Sequence, residues 1–152
     1  WSERILVAMP EEHPLARRER INWCDLAGER FLLTQRDPGP EARNMLLGKM
    51  SMPGYSPEIE MEDIGRDTVL NVVAHGEHIS IVAESALGIQ VPGVVFREIL
   101  EANGHARVGF SGYWRESNEN PVRGQFLNFV ADRYSLPLIP TPQPSHHQPG
   151  KE

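Results

Sequence analysis

The 152-residue chain carries 21 acidic residues against 15 lysines and arginines, a net charge of −6, with 39% hydrophobic and 24% charged residues. That length allows one domain or two small lobes around a real core, and the acidic balance excludes the basic face that phosphate neutralisation on nucleic acid requires. Cys24 is the one cysteine, so no internal disulfide forms and a reducing compartment is favoured; no apolar run reaches the roughly 18 residues of a membrane span, and no signal peptide opens the chain.

Residues 4–9, RILVAM, read as a buried strand stopped at Pro10. Residues 14–29 read as irregular, with Asp25 capping a single turn through LAGE. RFLLT, 30–34, is a second short strand ended by the turn-rich QRDPGP. Pro40 suits the first position of a helix, which then carries Ala42, Met45, Leu46 and Met50 at helical spacing. EIEMEDI alternates, with Ile59, Met61 and Asp63 on one face, as a half-wet strand does. Asp67 is the expected N-cap of a helix with the stripe Val69, Leu70, Val73 and Ala74, and Gly76 stands where a left-handed C-cap belongs, with His75 in the last turn. HISIVA is again a strand. Strand, helix, strand, helix, strand in succession predicts parallel pairing with right-handed crossovers.

After the turn at VPG, VVFREI is a further strand, and ARVGFSGYW alternates Val108, Phe110, Gly112 and Trp114 against Arg107, Gly109, Ser111 and Tyr113. NENP opens a last helix with Asn120 as cap and Pro121 as first residue; its stripe is Val122, Phe126, Phe129, Val130 and Tyr134. Five prolines in the sixteen residues from Pro137 to Glu152 predict an extended tail. Trp1 rather than Met opens the chain, so a fragment or a processed product is expected.

Five segments in order, ERILVAMPEEHPLA, DLAGERFLL, DTVLNVVAHGEHISIVAES, VPGVVFREI and YWRESNENPVRGQFLNFV, resemble the effector-binding domain of LysR-type transcriptional regulators over roughly Glu3 to Ser135. The resemblance implies an α/β fold, a periplasmic-binding-protein type 2-like effector domain of two subdomains joined by crossing strands, with the ligand in the cleft between them. It implies a complete second regulatory subdomain with its crossover strands over 3–103, a strand and helix over 104–136 returning to a partial first subdomain, and a disordered Pro-rich tail over 137–152. It further implies a small-molecule effector, DNA bound only through a winged helix-turn-helix absent from this chain, a homo-oligomer, a cytoplasmic location without membrane contact, no enzymatic activity and no cofactor. The chain departs from the family in HGEHISIVAES, where Glu77 and His78 replace the usual Leu-Gly and Ala83 stands in place of a proline.

Glu11, Glu12 and His13 look like acid/base or metal chemistry, but adjacent residues in a turn rarely converge on one ion, and the resemblance makes this a surface turn entering the second subdomain. His75 and His78 form H-x-x-H with Gly76 breaking the helix between them, so they need not face the same way, and the zincin pattern is absent. His146 and His147 fall in the tail, and Cys24 lacks the resolving partner a redox switch uses. The expected binding residues are loops at strand ends: Thr34, Gln35 and Arg36 after RFLL, and Gly65, Arg66 and Thr68 at the following helix start, where free N–H groups and the dipole favour an anion such as a carboxylate. Asp67 there opposes an anion. Rival readings are a solute-binding protein without a DNA-binding domain, a metal-dependent hydrolase using Glu12, His13, His75 and His78, and a decayed or standalone small-molecule-binding module.

Overall fold

A computed structural model describes residues 1–115, 117 and 120–134. The strands and helices are β1 (Ser2–Pro10), β2 (Ile21–Asn22), β3 (Arg30–Thr34), α1 (Gly39–Met50), β4 (Glu58–Glu62), α2 (Arg66–Val73), β5 (Ser80–Ala83), β6 (Val94–Glu101), β7 (Gly104–His105), β8 (Arg107–Gly109) and α3 (Pro121–Tyr134). Single 3-10 turns occupy Pro14–Arg17, Trp23–Leu26 and Glu84–Gly88. The described residues fall into two units: Ser2–Phe110, and Trp1 together with those from Ser111 to Tyr134.

In the larger unit β1 is apolar from Ile5 to Met9 because both of its faces are covered. Ile5, Val7 and Met9 join one cluster with Leu33, Leu46 and Ile99, while Leu6 and Ala8 join another with Leu70, Val82 and Ala86. The strand lies between β5 and β6 and is antiparallel to both, with Val7 opposite Ile81 on one side and Arg97 on the other. Its first residues, Ser2 to Arg4, pair with β8. Beyond β5 the sheet is extended by a parallel bridge between Phe31 of β3 and Ile79, sealed by Leu32 N–H donating to Ile79 O at 2.9 Å, and β4 runs parallel to β3 throughout. The parallel arrangement of β3, β4 and β5, with α1 and α2 as their crossovers, is the one the alternation predicts.

The two helices of the larger unit bury most of the stripe their sequence shows. In α1 Leu46 and Met50 are buried and Ala42 and Met45 pack against the same cluster; in α2 Val69, Leu70 and Val73 are buried. Full burial of a Leu or Phe side chain contributes roughly 1.5–3 kcal/mol, and Phe31, Leu46 and Leu70 are wholly inaccessible. Gly76 adopts φ +97, the left-handed conformation that ends α2 and that L side chains rarely take.

Local expectations are corrected at four places. The helix cap before α2 is Gly65, not Asp67, which lies inside the first turn; a carboxylate there still suits the dipole. Residues 14–29 are not irregular: two 3-10 turns flank β2, whose buried Ile21 pairs in parallel with Ile99. Asp25 does cap, but one turn early, its carboxylate accepting from Asn22 N–H at 2.8 Å ahead of Trp23–Leu26. Of ARVGFSGYW only Arg107–Gly109 forms strand, because β1 offers partners only as far as Ser2.

The second unit contains α3, which begins at Pro121 as its sequence predicts, with Asn120 Oδ1 accepting from Val122 N–H at 2.9 Å. The Trp1 ring stacks on Tyr134 at 5.4 Å between centroids. No residue of α3 is buried, and Val122, Phe126 and Phe129 are exposed. The tail expected over 137–152, with His146 and His147, lies outside the described residues.

Candidate functional site

Since β3, β4 and β5 run parallel, their carboxyl ends lie at one edge of the sheet, beside the first turns of α1 and α2. Open α/β sheets bind ligands at that edge. Thr34, the last residue of β3, ties two loops together: its Oγ1 donates to Ile64 O at 2.6 Å and accepts from Arg36 N–H at 3.0 Å. Gly39 starts α1 so close to β3 that a Cβ would stand 1.7 Å from Thr34 O, a distance no side chain tolerates. The N–H of Gly39 donates to Arg36 O at 2.7 Å, which closes the turn that carries the cis peptide Asp37–Pro38.

No side chain caps α2. Its first-turn N–H groups, on Arg66, Asp67 and Thr68, have no acceptor within the helix and stand at the positive end of the dipole. These groups border a cavity of about 450 Å³ that also meets Thr34, Arg36 and Gly65. Five of the six residues expected from the sequence are thus brought together. Gln35 is not: its N–H extends the β3–β4 ladder to Glu62 O at 2.7 Å, and its side-chain amide donates to Met61 O at 2.9 Å, along β4. Arg36 borders the cavity, but its guanidinium is already engaged, Nε on Asp63 Oδ1 at 2.9 Å and a terminal nitrogen on Asp63 O at 3.2 Å. Arg66 has no ion pair among the described residues.

A second, smaller cavity of about 170 Å³ shares Thr34, Pro38 and Arg66 with the first and runs inward over an apolar floor that includes Ile5, Leu33, Met45, Ile81 and Phe110. Sequence reasoning misses this floor. Each of its strand residues reads as an inward-facing position, yet nothing in the local pattern says that five separate segments converge. Ser80, also in its wall, is buried, and its hydroxyl donates to Leu32 O at 2.7 Å.

The other sequence candidates have structural employment. His13 Nδ1 accepts from Leu15 N–H at 3.2 Å, capping the Pro14–Arg17 turn, and its Nε2 faces Glu29 at 3.2 Å, while Glu11 and Glu12 are exposed. His75 Nδ1 donates to Asn71 O at 2.8 Å, and His78 Nε2 faces Glu60 Oε2 at 3.0 Å, so the two histidines serve different partners. Among the described residues no three or more His, Cys, Asp or Glu side chains stand together as a metal site would require. Cys24 is exposed.

Away from the cavity, Arg4 of β1 joins Glu84, at the start of the turn after β5, and Glu98 of β6. Hydrogen bonds from the Arg4 side chain and backbone hold the Glu84 carboxyl down to about 2 from its ordinary 4.5. Lys49 and then the Trp23 indole N–H lower Glu101 in the same way.

The strands and crossover helices have the α/β, periplasmic-binding-protein type 2-like fold of solved neighbours. Residues 1–135 match the family described as the LysR substrate binding domain, and the chain belongs to that family. The chain is 28% identical over 138 residues to the HTH-type transcriptional regulator TtuA of Agrobacterium vitis, which covers 88% of this chain and 45% of the relative. With the uncharacterized HTH-type transcriptional regulator YybE of Bacillus subtilis (strain 168) it shares 36% identity over 139 residues, 91% of this chain and 44% of the relative. It therefore spans less than half the length of these curated relatives. Among solved structures, the effector binding domain of a BenM variant superposes with a TM-score of 0.68 at 22% identity, covering 89% of this chain and 62% of that one. CbnR, a LysR family transcriptional regulator, gives 0.67 at 18%, covering 87% and 45%. The BenM effector binding domain with its effector benzoate gives 0.64 at 22%, covering 92% and 64%.

Proposed function

We propose that this chain is the sensory part of a LysR-type transcriptional regulator, which binds a small-molecule carboxylate at the open ends of β3, β4 and β5. The observation that carries the reading is the uncapped first turn of α2 bordering a cavity together with Thr34 and with Arg66, which has no ion pair among the described residues. Arg66 and the N–H groups of the Gly65–Thr68 turn hold the carboxylate, with the Thr68 hydroxyl as a further donor. Thr34 fixes the loop geometry, Arg36 forms a neutralised wall through Asp63, and Gln35 secures that wall to β4. That benzoate is the effector of a structural neighbour favours the same ligand class. In this reading 3–103 form the second regulatory subdomain and 104–136 return to the first. The whole protein is a cytoplasmic homo-oligomer that binds DNA through a helix-turn-helix outside this chain and performs no catalysis. The effector acts by binding one cleft geometry better than another, since only that difference shifts a population.

Titration of the isotope-labelled chain with benzoate, followed by amide shifts, tests the site. Shifts are expected at Gly65 to Thr68 at about millimolar ligand, the affinity of a few polar contacts, and are expected to vanish in Arg66→Gln. Shifts confined to other residues, or none, would overturn the assignment.

A further inference from the structure

The charges around the cavity do not suit a simple anion. Arg36 is the first cation on its border, and Asp63 already neutralises it. Arg66 is the second, and it has no ion pair among the described residues. Against it stand three carboxylates that have no ion pair among the described residues: Asp37 and Asp67 on the outer cavity, and Glu41 on the inner one. Glu3, also on the inner wall, accepts from Ser85 N–H at 2.9 Å and is engaged. An incoming monoanion therefore meets, on the borders of the two cavities, one such guanidinium and three such carboxylates, and like charges repel even through water. A ligand that brings its own cation turns that excess from a penalty into a contact.

Resting on the carboxylate reading above, we propose that the cleft takes a zwitterion with a compact apolar body, of the α-amino acid type: its carboxylate on the Arg66 side, its ammonium on the Glu41 side, its side chain over the floor of Ile5, Leu33, Met45 and Ile81. Glu41 lies in the first turn of α1 and Arg66 in the first turn of α2, so the two charges belong to different elements that open at the same edge. Both border the apolar cavity, so that one wall offers opposite charges beside an apolar surface, the features an amino acid complements. Ser80 offers the carboxylate no donor, because its hydroxyl proton is already given to Leu32 O.

The test compares three probes that share one apolar body: leucine, isocaproate, which lacks the ammonium, and isoamylamine, which lacks the carboxylate. Each is titrated into the 152-residue chain and read by the same amide shifts. Leucine is expected to bind about fivefold more tightly than isocaproate, the gain of one partly exposed ion pair. Glu41→Gln should reduce that preference to near unity while leaving isocaproate binding equal or stronger, and Arg66→Gln should weaken leucine and isocaproate together but not isoamylamine. Isocaproate binding as tightly as leucine overturns the zwitterion and leaves the carboxylate reading intact, as does failure of all three probes where benzoate still shifts the α2 turn. Isoamylamine binding most tightly, or silence from all three and from benzoate, removes both readings.

Discussion

Helices α2 and α3 both announce themselves in the sequence by an apolar stripe and a recognisable start, yet they meet opposite fates. The α2 stripe of Val69, Leu70 and Val73 is buried against β1, β3 and the segment after β5. The α3 stripe of Val122, Phe126 and Phe129 is exposed, Phe129 at 66%. Periodicity reports that a helix has an apolar face; whether anything covers that face depends on the rest of the fold. Where burial decides stability, two similar patterns carry very different energy.

The sharpest way to break the comparison is truncation. Leu70→Ala should cost about 3 kcal/mol, within the range for wholly buried leucines, while Phe129→Ala should change stability by less than about 0.5 kcal/mol, as exposed positions do; urea denaturation of both variants reads the difference. Equal losses would mean that α3 is covered in solution. Next in size is Gly39→Ala, expected to cost about 2 kcal/mol because the added Cβ forces α1 away from Thr34 O. Its first effect should be broadened amide signals at Thr34 to Arg36, which would place the strain at the cavity and not in the core.

The smallest effect is electrostatic and belongs to the larger unit alone. With its folded value near 2 against an ordinary 4.5, Glu84 stabilises the fold fully above pH 4.5 and loses that contribution as the pH falls toward 2. Glu84→Gln should therefore flatten the acid limb of stability between those values and be less stable than the parent at neutral pH. An unchanged acid limb would show that the Arg4 contact does not persist in solution.

The succession from β3 to β5 was legible because each element is long enough to display its own period and is bounded by punctuation such as Gly76 or Pro40, although α1 opens one residue before that proline, at Gly39. β2 was not: two residues show no alternation, and Ile21 is held by a partner 78 positions away, Ile99. Asp67 misled because a helix cap and a first-turn carboxylate are chemically equivalent near the dipole, and only the backbone angles at Gly65 separate them. Strand ends and a helix start were enough to expect Thr34, Arg36, Gly65, Arg66 and Thr68 around one edge, where they border one cavity. The direction of the Gln35 side chain was beyond reach, since it depends on how far the β3–β4 ladder runs past the strand. So was the apolar floor, assembled from residues as distant as Ile5 and Phe110.

The cavity is built in two materials. Its floor is shared with the core, where Ile5, Leu33 and Ile81 are nearly inaccessible and every exchange is felt by the whole fold. Its rim, at Asp37, Glu41, Arg66 and Thr68, is solvent-exposed, where exchanges are nearly free. Charges at the mouth can therefore drift from one descendant of such a domain to the next, while the core beneath them is inherited unchanged.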